Sequence, residues 1–120
     1  GINLNKSFKG IKISSGNSFV HETESKLILN GSFNVGFTMD LVNKDIRLFN
    51  KLATQYKIPV DLGKILNKKF NIGIKKFGKR SFSTSIVKLI EKECKIKMRA
   101  KNFPIKLIDN QLKKKGIEIK

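Results

Sequence analysis

Cysteine, histidine and tryptophan are nearly missing from this sequence of 120 residues. It contains one cysteine, one histidine and no tryptophan. Cys94 has no second cysteine with which to form an internal disulfide, and Cys94 with His21 does not make a usual zinc or iron ligand set. These absences exclude a disulfide-stabilised fold and a metal site of the usual types. We therefore expect a cytoplasmic protein without a bound metal.

Long apolar runs are missing as well. No stretch of about 18 uncharged apolar residues occurs, and the amino terminus lacks the basic-then-apolar pattern of a secretory signal. With 39% apolar residues the chain can still form one core, and at this length two independent domains are not expected. The sequence predicts a single soluble unit without membrane contact.

Acidic residues are scarce, with 9 Asp and Glu against 26 Lys and Arg and a formal net charge of +17. Such a charge is typical of proteins that bind phosphate backbones. However, the basic set is 23 Lys and 3 Arg, beside 16 Ile and 11 Asn, an enrichment that an AT-rich coding sequence produces by itself. Base-reading proteins use more arginine and more aromatic stacking. Nucleic acid is therefore not expected as a partner, and a stand-alone basic helical module that binds nucleic acid or another polyanion is the alternative function.

Apolar periodicity and capping residues predict an almost wholly helical chain. Ser18 and Thr38 are suited to helix amino termini, and Pro59 is tolerated in a first turn. Gly63 and Gly73 would lie inside a helix, where each costs about 1 kcal/mol relative to Ala, so we expect a neighbouring backbone to approach them closely. Helices are predicted over residues 4–12, 19–29, 38–56 and 59–77.

A last regular helix is predicted after Ser81 or Ser83, with Ile86, Val87, Ile90 and Cys94 as its buried stripe. Beyond residue 95 the periodicity ends and basic residues dominate. Residues 96–120 are therefore predicted to be an extended, solvated segment with a short apolar anchor at 103–108.

The predicted helix over 38–56 carries an acidic residue where its core should be. On a helical wheel, Asp45 falls within an apolar stripe, whose members are Leu41, Leu48, Phe49, Leu52 and Tyr56. Because an unpartnered buried carboxylate is very costly, we expect Asp45 to accept hydrogen bonds from a neighbouring helix start and to fix the tilt of its helix. Lys44 lies at the margin of the stripe, where its stem can pack while its ammonium group reaches into a cleft. A plain buried ion pair is the alternative.

No Gly-rich phosphate loop, serine elbow or catalytic dyad is recognisable in the sequence. The segment GSFNVGFTMDLVNKDIRLFNKLATQYKIP nevertheless closely resembles one in the β-hydroxyacid dehydrogenases, the 3-hydroxyisobutyrate dehydrogenase and tartronate semialdehyde reductase group related to 6-phosphogluconate dehydrogenase. The turn SSGNS (14–18) and the segment FGKRSFSTSIVKLIE (77–91) also resemble family segments, so the resemblance covers about residues 1–95. Phe49 departs from it, since Ala is usual there. The family pattern G-x-F-x-x-x-F-x-x-x-L-x-x-K-D-x-x-L is matched in order by Gly31, Phe33, Phe37, Leu41, Lys44, Asp45 and Leu48.

This resemblance implies a fold and a domain organisation. It implies an all-α helical bundle similar to the carboxy-terminal domain of 6-phosphogluconate dehydrogenase, truncated before its first long helix. Residues 1–95 would form a helical substrate and dimerisation domain, and residues 96–120 a basic carboxy-terminal extension. The expected partners are the amino-terminal Rossmann domain of the same enzyme and a second subunit, in a homodimer or higher oligomer.

The resemblance also implies a function and site residues. The parent would be an NAD(P)-dependent 3-hydroxyacid dehydrogenase, in which this domain completes the substrate and cofactor cleft and the subunit interface. Lys44 matches the family lysine that reaches the cofactor, Phe37 matches an aromatic residue lining the substrate cleft, and Asp45 would give structural support. The family's catalytic lysine would precede Gly1, so no catalytic residue is expected here. NAD or NADP would bind the intact enzyme, and the 120 residues alone are expected to be inactive and cofactor-free.

Overall fold

Helices form every regular element of the chain that the structure describes. The computed structural model describes residues 1–110 and Gly116. Within them no strand forms, and an isolated β-bridge joins Thr38 to Phe82. No helix in this part of the chain is both long enough and apolar enough to cross a membrane. The predicted all-α fold is confirmed, with helices α1 (Leu4–Lys12), α2 (Phe19–Asn30), α3 (Met39–Gln55), α4 (Asp61–Phe77), a 3-10 helix (Ser83–Val87) and α5 (Lys88–Glu93).

Helix α2 begins and ends where its capping residues predict. The Ser18 hydroxyl accepts a hydrogen bond from the His21 N–H at 3.0 Å, which satisfies a donor of the first turn that would otherwise be unpaired. At the other end Gly31 has a φ of 89°, a left-handed conformation that glycine adopts without a steric penalty. Helix α1 lies against α2, because the Phe8 ring stacks on His21 with centroids 4.6 Å apart.

Helices α3 and α4 form an antiparallel hairpin. The Asn43 amide of α3 donates to Asn71 near the end of α4 at 3.0 Å, and the Asn50 amide donates to the carbonyl of Gly63 near its start at 3.0 Å. Five residues (56–60) connect the two helices, a length common between antiparallel neighbours. Because the pairing runs the whole length of both helices, α4 determines which face of α3 is buried.

The two glycines of α4 are both buried, and close packing surrounds each of them. A Cβ atom added to Gly73 would lie 2.7 Å from the Ile86 Cδ1 atom and 3.2 Å from the Met39 sulfur. The approaching groups are therefore side chains, whereas a neighbouring backbone was expected. The absence of a Cβ at Gly73 is what lets α3 and the 3-10 helix pack on α4.

The predicted buried stripe of α3 is wrong. All five apolar residues assigned to it are exposed, with Leu52 at 54% and Tyr56 at 67%. Both the predicted and the observed stripe recur at intervals of three and four residues, so periodicity alone cannot say which one is buried. The face that α3 buries or half-buries consists of Met39, Asn43, Ile46, Asn50 and Ala53.

The loop after α4 holds the start of α3. The N–H of Met39 donates to the Ser81 carbonyl at 2.9 Å, and the N–H of Asp40 donates to the Lys79 carbonyl at 3.0 Å. Thr38 is the N-cap residue, as predicted, but its side chain makes no capping bond to the backbone. The first turn therefore finds acceptors in a segment about forty residues away in sequence, in place of the usual local cap.

The last helix differs from the prediction in its form and in its buried face. A 3-10 helix leads into the short α5, and Ser83, Thr84, Ser85 and Leu89 are buried. Ile90 is exposed, and so is Cys94, which was expected to be a core residue. The Thr84 hydroxyl donates to the Phe33 carbonyl at 2.8 Å. The buried Thr84 hydroxyl thus satisfies a backbone carbonyl of the connector before α3.

Part of the predicted solvated extension is docked on the helices. Arg99 donates to the Glu91 carboxylate at 2.6 Å, and the Ala100 N–H donates to the Leu29 carbonyl at 2.9 Å. The predicted apolar anchor is present at Phe103, whose ring meets Phe8 edge-on at 5.1 Å. Residues 111–115 and 117–120 of the predicted extension lie outside the described residues.

Candidate functional site

Lys44 and Asp45, the charged pair of the family pattern, lie on the surface of α3. The Lys44 ammonium group is 3.0 Å from the Asp45 carboxylate, and their side chains are 60% and 57% exposed. The prediction that Asp45 is buried between helices is therefore wrong. It rested on the apolar stripe being the core, and all five residues of that stripe are exposed. Asp45 is positioned to hold the Lys44 side chain on the outer side of the helix.

Asparagine amides occupy the helix contact where a carboxylate was predicted. The Asn67 amide donates to Asn43 at 3.0 Å, Asn43 donates to Asn71 at 3.0 Å, and Asn71 donates to Asn67 at 3.2 Å. Each amide gives one bond and accepts one, so the three form a closed ring between α3 and α4. The ring satisfies the buried Asn43, the residue immediately before Lys44, without burying a charge. Sequence reasoning missed it, although the i, i+4 spacing of Asn67 and Asn71 was a usable signal.

Lys44 lines a concavity of about 630 Å³ between α3 and α4. Arg47 and Lys51 follow at one-turn intervals on the same side of α3, and Asn67 contributes from α4. This size is within the range of small-molecule sites, which run to about 1,000 Å³. Three cations with carboxamide and hydroxyl groups can hold an anion, and they offer no nucleophile paired with a base. The lining residues are Lys44, Arg47, Leu48, Asn50, Lys51, Thr54 and Asn67.

Phe37 is placed by backbone pairing just before α3. Its carbonyl accepts a hydrogen bond from the Ser83 N–H at 2.8 Å, and its side chain is 37% exposed. Phe37 is not among the residues that line the concavity of Lys44. The structure thus puts Phe37 just before α3 and Lys44 about one and a half turns along it, without bringing the two predicted ligand-contacting residues into one cavity.

Asp40 ties the first turn of α3 to the loop before the 3-10 helix. The Thr38 hydroxyl donates to its carboxylate, and Arg80 donates to the other oxygen at 3.3 Å. The Thr38 bond, with the Arg80 guanidinium beside it, lowers the pKa of the Asp40 carboxyl below its usual value. A negative charge at the amino terminus of a helix is also favourable to the helix dipole. Asp40 therefore stabilises the helix start from which Lys44 projects.

Metal ligands do not cluster in the described part of the chain. Within residues 1–110, no group of three or more His, Cys, Asp or Glu side chains lies close enough together to hold an ion. His21 is occupied in the contact of α1 with α2, where its Nε2 atom is 2.9 Å from the Phe8 carbonyl oxygen. The cationic concavity lined by Lys44, Arg47 and Lys51 is therefore the candidate site.

Comparison with protein-family models matches residues 1–90 to the family described as NAD-binding of NADP-dependent 3-hydroxyisobutyrate dehydrogenase. The match includes the Lys44 and Asp45 pair and every element from α1 to the 3-10 helix. The chain belongs to this family. A search of curated proteins gave no match. Membership of the 3-hydroxyisobutyrate dehydrogenase family makes NAD(P) the relevant cofactor class and a dehydrogenase the relevant type of parent enzyme.

Family membership gives the cationic concavity a chemical context. Nicotinamide dinucleotides carry negatively charged phosphates, so an exposed cation beside a concavity is a suitable group for such a ligand. The matched residues end within α5, and the Glu91 and Arg99 pair lies beyond them. The docked carboxy-terminal segment is therefore a feature of this chain that the 3-hydroxyisobutyrate dehydrogenase family model does not include.

Proposed function

We propose that these residues form the helical carboxy-terminal domain of an NAD(P)-dependent 3-hydroxyacid dehydrogenase. In this proposal the domain completes the cofactor and substrate cleft beside a Rossmann domain, and it forms a subunit interface. The family match and the all-α fold support this assignment. The observation that carries it is the exposed Lys44 beside a cationic concavity, with an apolar flank of exposed large side chains at the closed end of the same hairpin.

The apolar flank has the character of a surface made to be covered. Eight large apolar side chains at the closed end of the hairpin are each about half exposed or more, whereas single exposed apolar residues are the norm on a monomer. We assign this flank to contact with a second copy of the chain. Its residues are Leu48, Phe49, Leu52, Tyr56, Ile58, Leu62, Ile65 and Leu66.

The small interior of the chain supports the same assignment. Only seven hydrophobic residues among those described are buried. The radius of gyration is 16.2 Å, compared with about 13 to 14 Å for a compact domain of this length. A chain that keeps so much apolar surface in water gains stability by burying it against another subunit.

Lys44 is assigned to cofactor contact and Phe37 to the substrate cleft, as the family resemblance implies. Lys44 is free to reach a ligand, because its only ion pair among the described residues is with the adjacent, exposed Asp45. Bound NAD(P) would carry out the hydride transfer. By the family resemblance, the proton transfer would belong to a lysine that is not among these 120 residues. Lys44 would therefore affect cofactor affinity more than the chemical step.

The function is tested by joining residues 1–120 behind the Rossmann domain and first long helix of a known 3-hydroxyisobutyrate dehydrogenase. The expected result is NAD(P)-dependent oxidation of 3-hydroxyisobutyrate, and a matched fusion that lacks residues 1–95 should be inactive. A folded fusion that binds the cofactor and shows no turnover would contradict the proposal.

The interface is tested by sedimentation equilibrium of the chain itself. The mass should rise with concentration from 13.6 kDa towards twice that value, and Leu52→Glu should hold it at the lower value by placing a charge in the contact. Ile13→Glu is the matched control, since Ile13 is 89% exposed at the end of α1. A wild-type chain that stays at 13.6 kDa at all concentrations would refute the assignment of this flank.

A further inference from the structure

Basic residues of α3 and α4 line two adjoining concavities of the hairpin. All three basic residues of α3 line the concavity described above, next to Leu48 at the edge of the apolar flank. A second concavity of about 350 Å³ continues along α4, and Asn67 lines both. Together they make one groove, and its basic residues are Lys44, Arg47, Lys51, Lys64, Lys68 and Lys75.

Four of these cations have no carboxylate partner. Lys44 is paired with Asp45 and Lys64 with Asp61, at 3.0 and 3.5 Å. Across residues 1–110, the remaining four form no ion pair. These unpaired cations are Arg47, Lys51, Lys68 and Lys75.

The asparagine ring adds hydrogen-bond donors beside these cations. A carboxamide has two N–H groups, and the ring uses one on each asparagine. Asn71 is exposed in the groove and Asn67 is half-buried. Their second N–H groups can donate to an anion that already neutralises the neighbouring lysines.

We propose that this groove binds the phosphodiester backbone of a single-stranded nucleic acid. Lys68 and Lys75 are about 10 Å apart along α4, at 1.5 Å per residue, so the site is longer than one phosphate group. The path turns from α3 onto α4, because residues of α4 alone line the second concavity. A flexible single strand can follow this path, whereas a straight duplex would contact it with only one backbone. The net charge of +17 is by itself weak evidence for nucleic acid, because an AT-rich coding sequence also enriches lysine. The placement of four unpaired cations in two adjoining concavities is the additional observation.

The groove recognises phosphates and not bases. Among the described residues that line the two concavities, none is aromatic, so stacking platforms for bases are missing. Contacts to phosphate position a strand without reading its sequence. The proposal does not rest on the dehydrogenase function, because Lys44, the residue assigned to cofactor contact, is not one of the four unpaired cations, although Arg47 and Lys51 line the same concavity.

The test is fluorescence anisotropy of the 120-residue chain with labelled oligothymidylate of about 20 nucleotides, from about 50 to 200 mM salt. With four phosphate contacts, the slope of log K against log salt should be about −2.8, at about −0.7 per contact for single strands. The double variant Arg47→Gln, Lys51→Gln leaves two of these contacts, so its slope should be shallower, about −1.4. The control Lys6→Gln, Lys9→Gln removes equal charge from α1 and should leave the slope unchanged. Should the groove variant not fold, as judged by circular dichroism, Lys68→Gln, Lys75→Gln takes its place with the same expectation.

Several results would overturn the proposal. They are a wild-type chain that does not bind at 50 mM salt, a groove variant that keeps the wild-type slope, and a control that loses as much as the groove variant. Duplex binding as tight as single-strand binding contradicts the single-strand assignment. A preference above about tenfold for oligothymidylate over oligoadenylate contradicts recognition through phosphates alone.

Discussion

Replacing Arg99 by Met should destabilise the chain by about 3 kcal/mol at neutral pH. Arg99 donates to Glu91 at 2.6 and 3.3 Å, and the Glu91 side chain is only 9% exposed. Removing one partner of a buried ion pair costs about 3 to 5 kcal/mol, because the other charge is left uncompensated. The lower end applies since 32% of the Arg99 side chain is exposed. The guanidinium also lies 4.7 Å from the centroid of the Phe33 ring, a contact that Met does not replace.

The same pair predicts how the effect depends on pH. Burial raises the pKa of the Glu91 carboxyl, but the hydrogen bonds from Arg99 and the Met98 N–H outweigh it and bring the pKa below the usual 4.5. A lowered folded-state pKa means that the carboxylate stabilises the fold fully above about pH 4.5 and loses this effect as the pH falls further. Without Arg99, the Met98 N–H is the hydrogen-bond donor that still opposes the effect of burial on the Glu91 pKa. The penalty of Arg99→Met should therefore shrink in acid as Glu91 protonates.

The assay is urea unfolding followed by circular dichroism at pH 7 and about pH 4. Lys97→Met is the matched control, since Lys97 is exposed, and it should change stability by less than about 0.5 kcal/mol. A loss below about 1 kcal/mol for Arg99→Met at pH 7 would refute the reasoning. An equal loss at both pH values would refute its electrostatic part.

Four further substitutions are measured by the same urea assay. Gly73→Ala should destabilise by about 1 to 2 kcal/mol, because its Cβ must displace Ile86; Gly10→Ala meets nothing within 4 Å and should stabilise α1. Equal effects at the two glycines would contradict this account. Asp45→Asn should change stability by less than about 0.5 kcal/mol because Asp45 is exposed, and a loss above about 2 kcal/mol would restore its predicted buried role. Ser18→Ala should cost about 1 kcal/mol through loss of the α2 cap, and an unchanged midpoint would show that the cap is dispensable.

Features of the fold that depend on neighbouring residues could be predicted from the sequence. Ser18 and Gly31 bound α2 as expected, and the long helix predicted over 38–56 is α3. In these cases the deciding interactions lie within a turn of the helix end. The family pattern around Lys44 also identified the family correctly. Matching residue types in their order along the sequence does not depend on which face of a helix is buried.

Features that depend on distant residues could not be predicted. The buried face of α3 is chosen by α4, and its most polar contact is made by Asn43 with Asn67 and Asn71. The i, i+4 spacing of Asn67 and Asn71 indicates a shared helix face, but no local rule identifies the partner helix or Asn43 on it, and asparagine is as common in loops. The docking of Arg99 on Glu91 was missed for the same reason: a basic run without periodicity gives no sign of a long-range partner.

In the proposed function, α3 presents Lys44 to a nicotinamide cofactor held by another domain. The most direct test is the KM for NAD(P) of the active fusion enzyme with Lys44→Gln, compared with Lys6→Gln, which alters an exposed lysine of α1. A lost charge-assisted hydrogen bond of about 1.5 to 3 kcal/mol corresponds to a rise of at least about tenfold. The account predicts this rise for Lys44→Gln alone, with kcat little changed, and a KM equal to that of the control would contradict it.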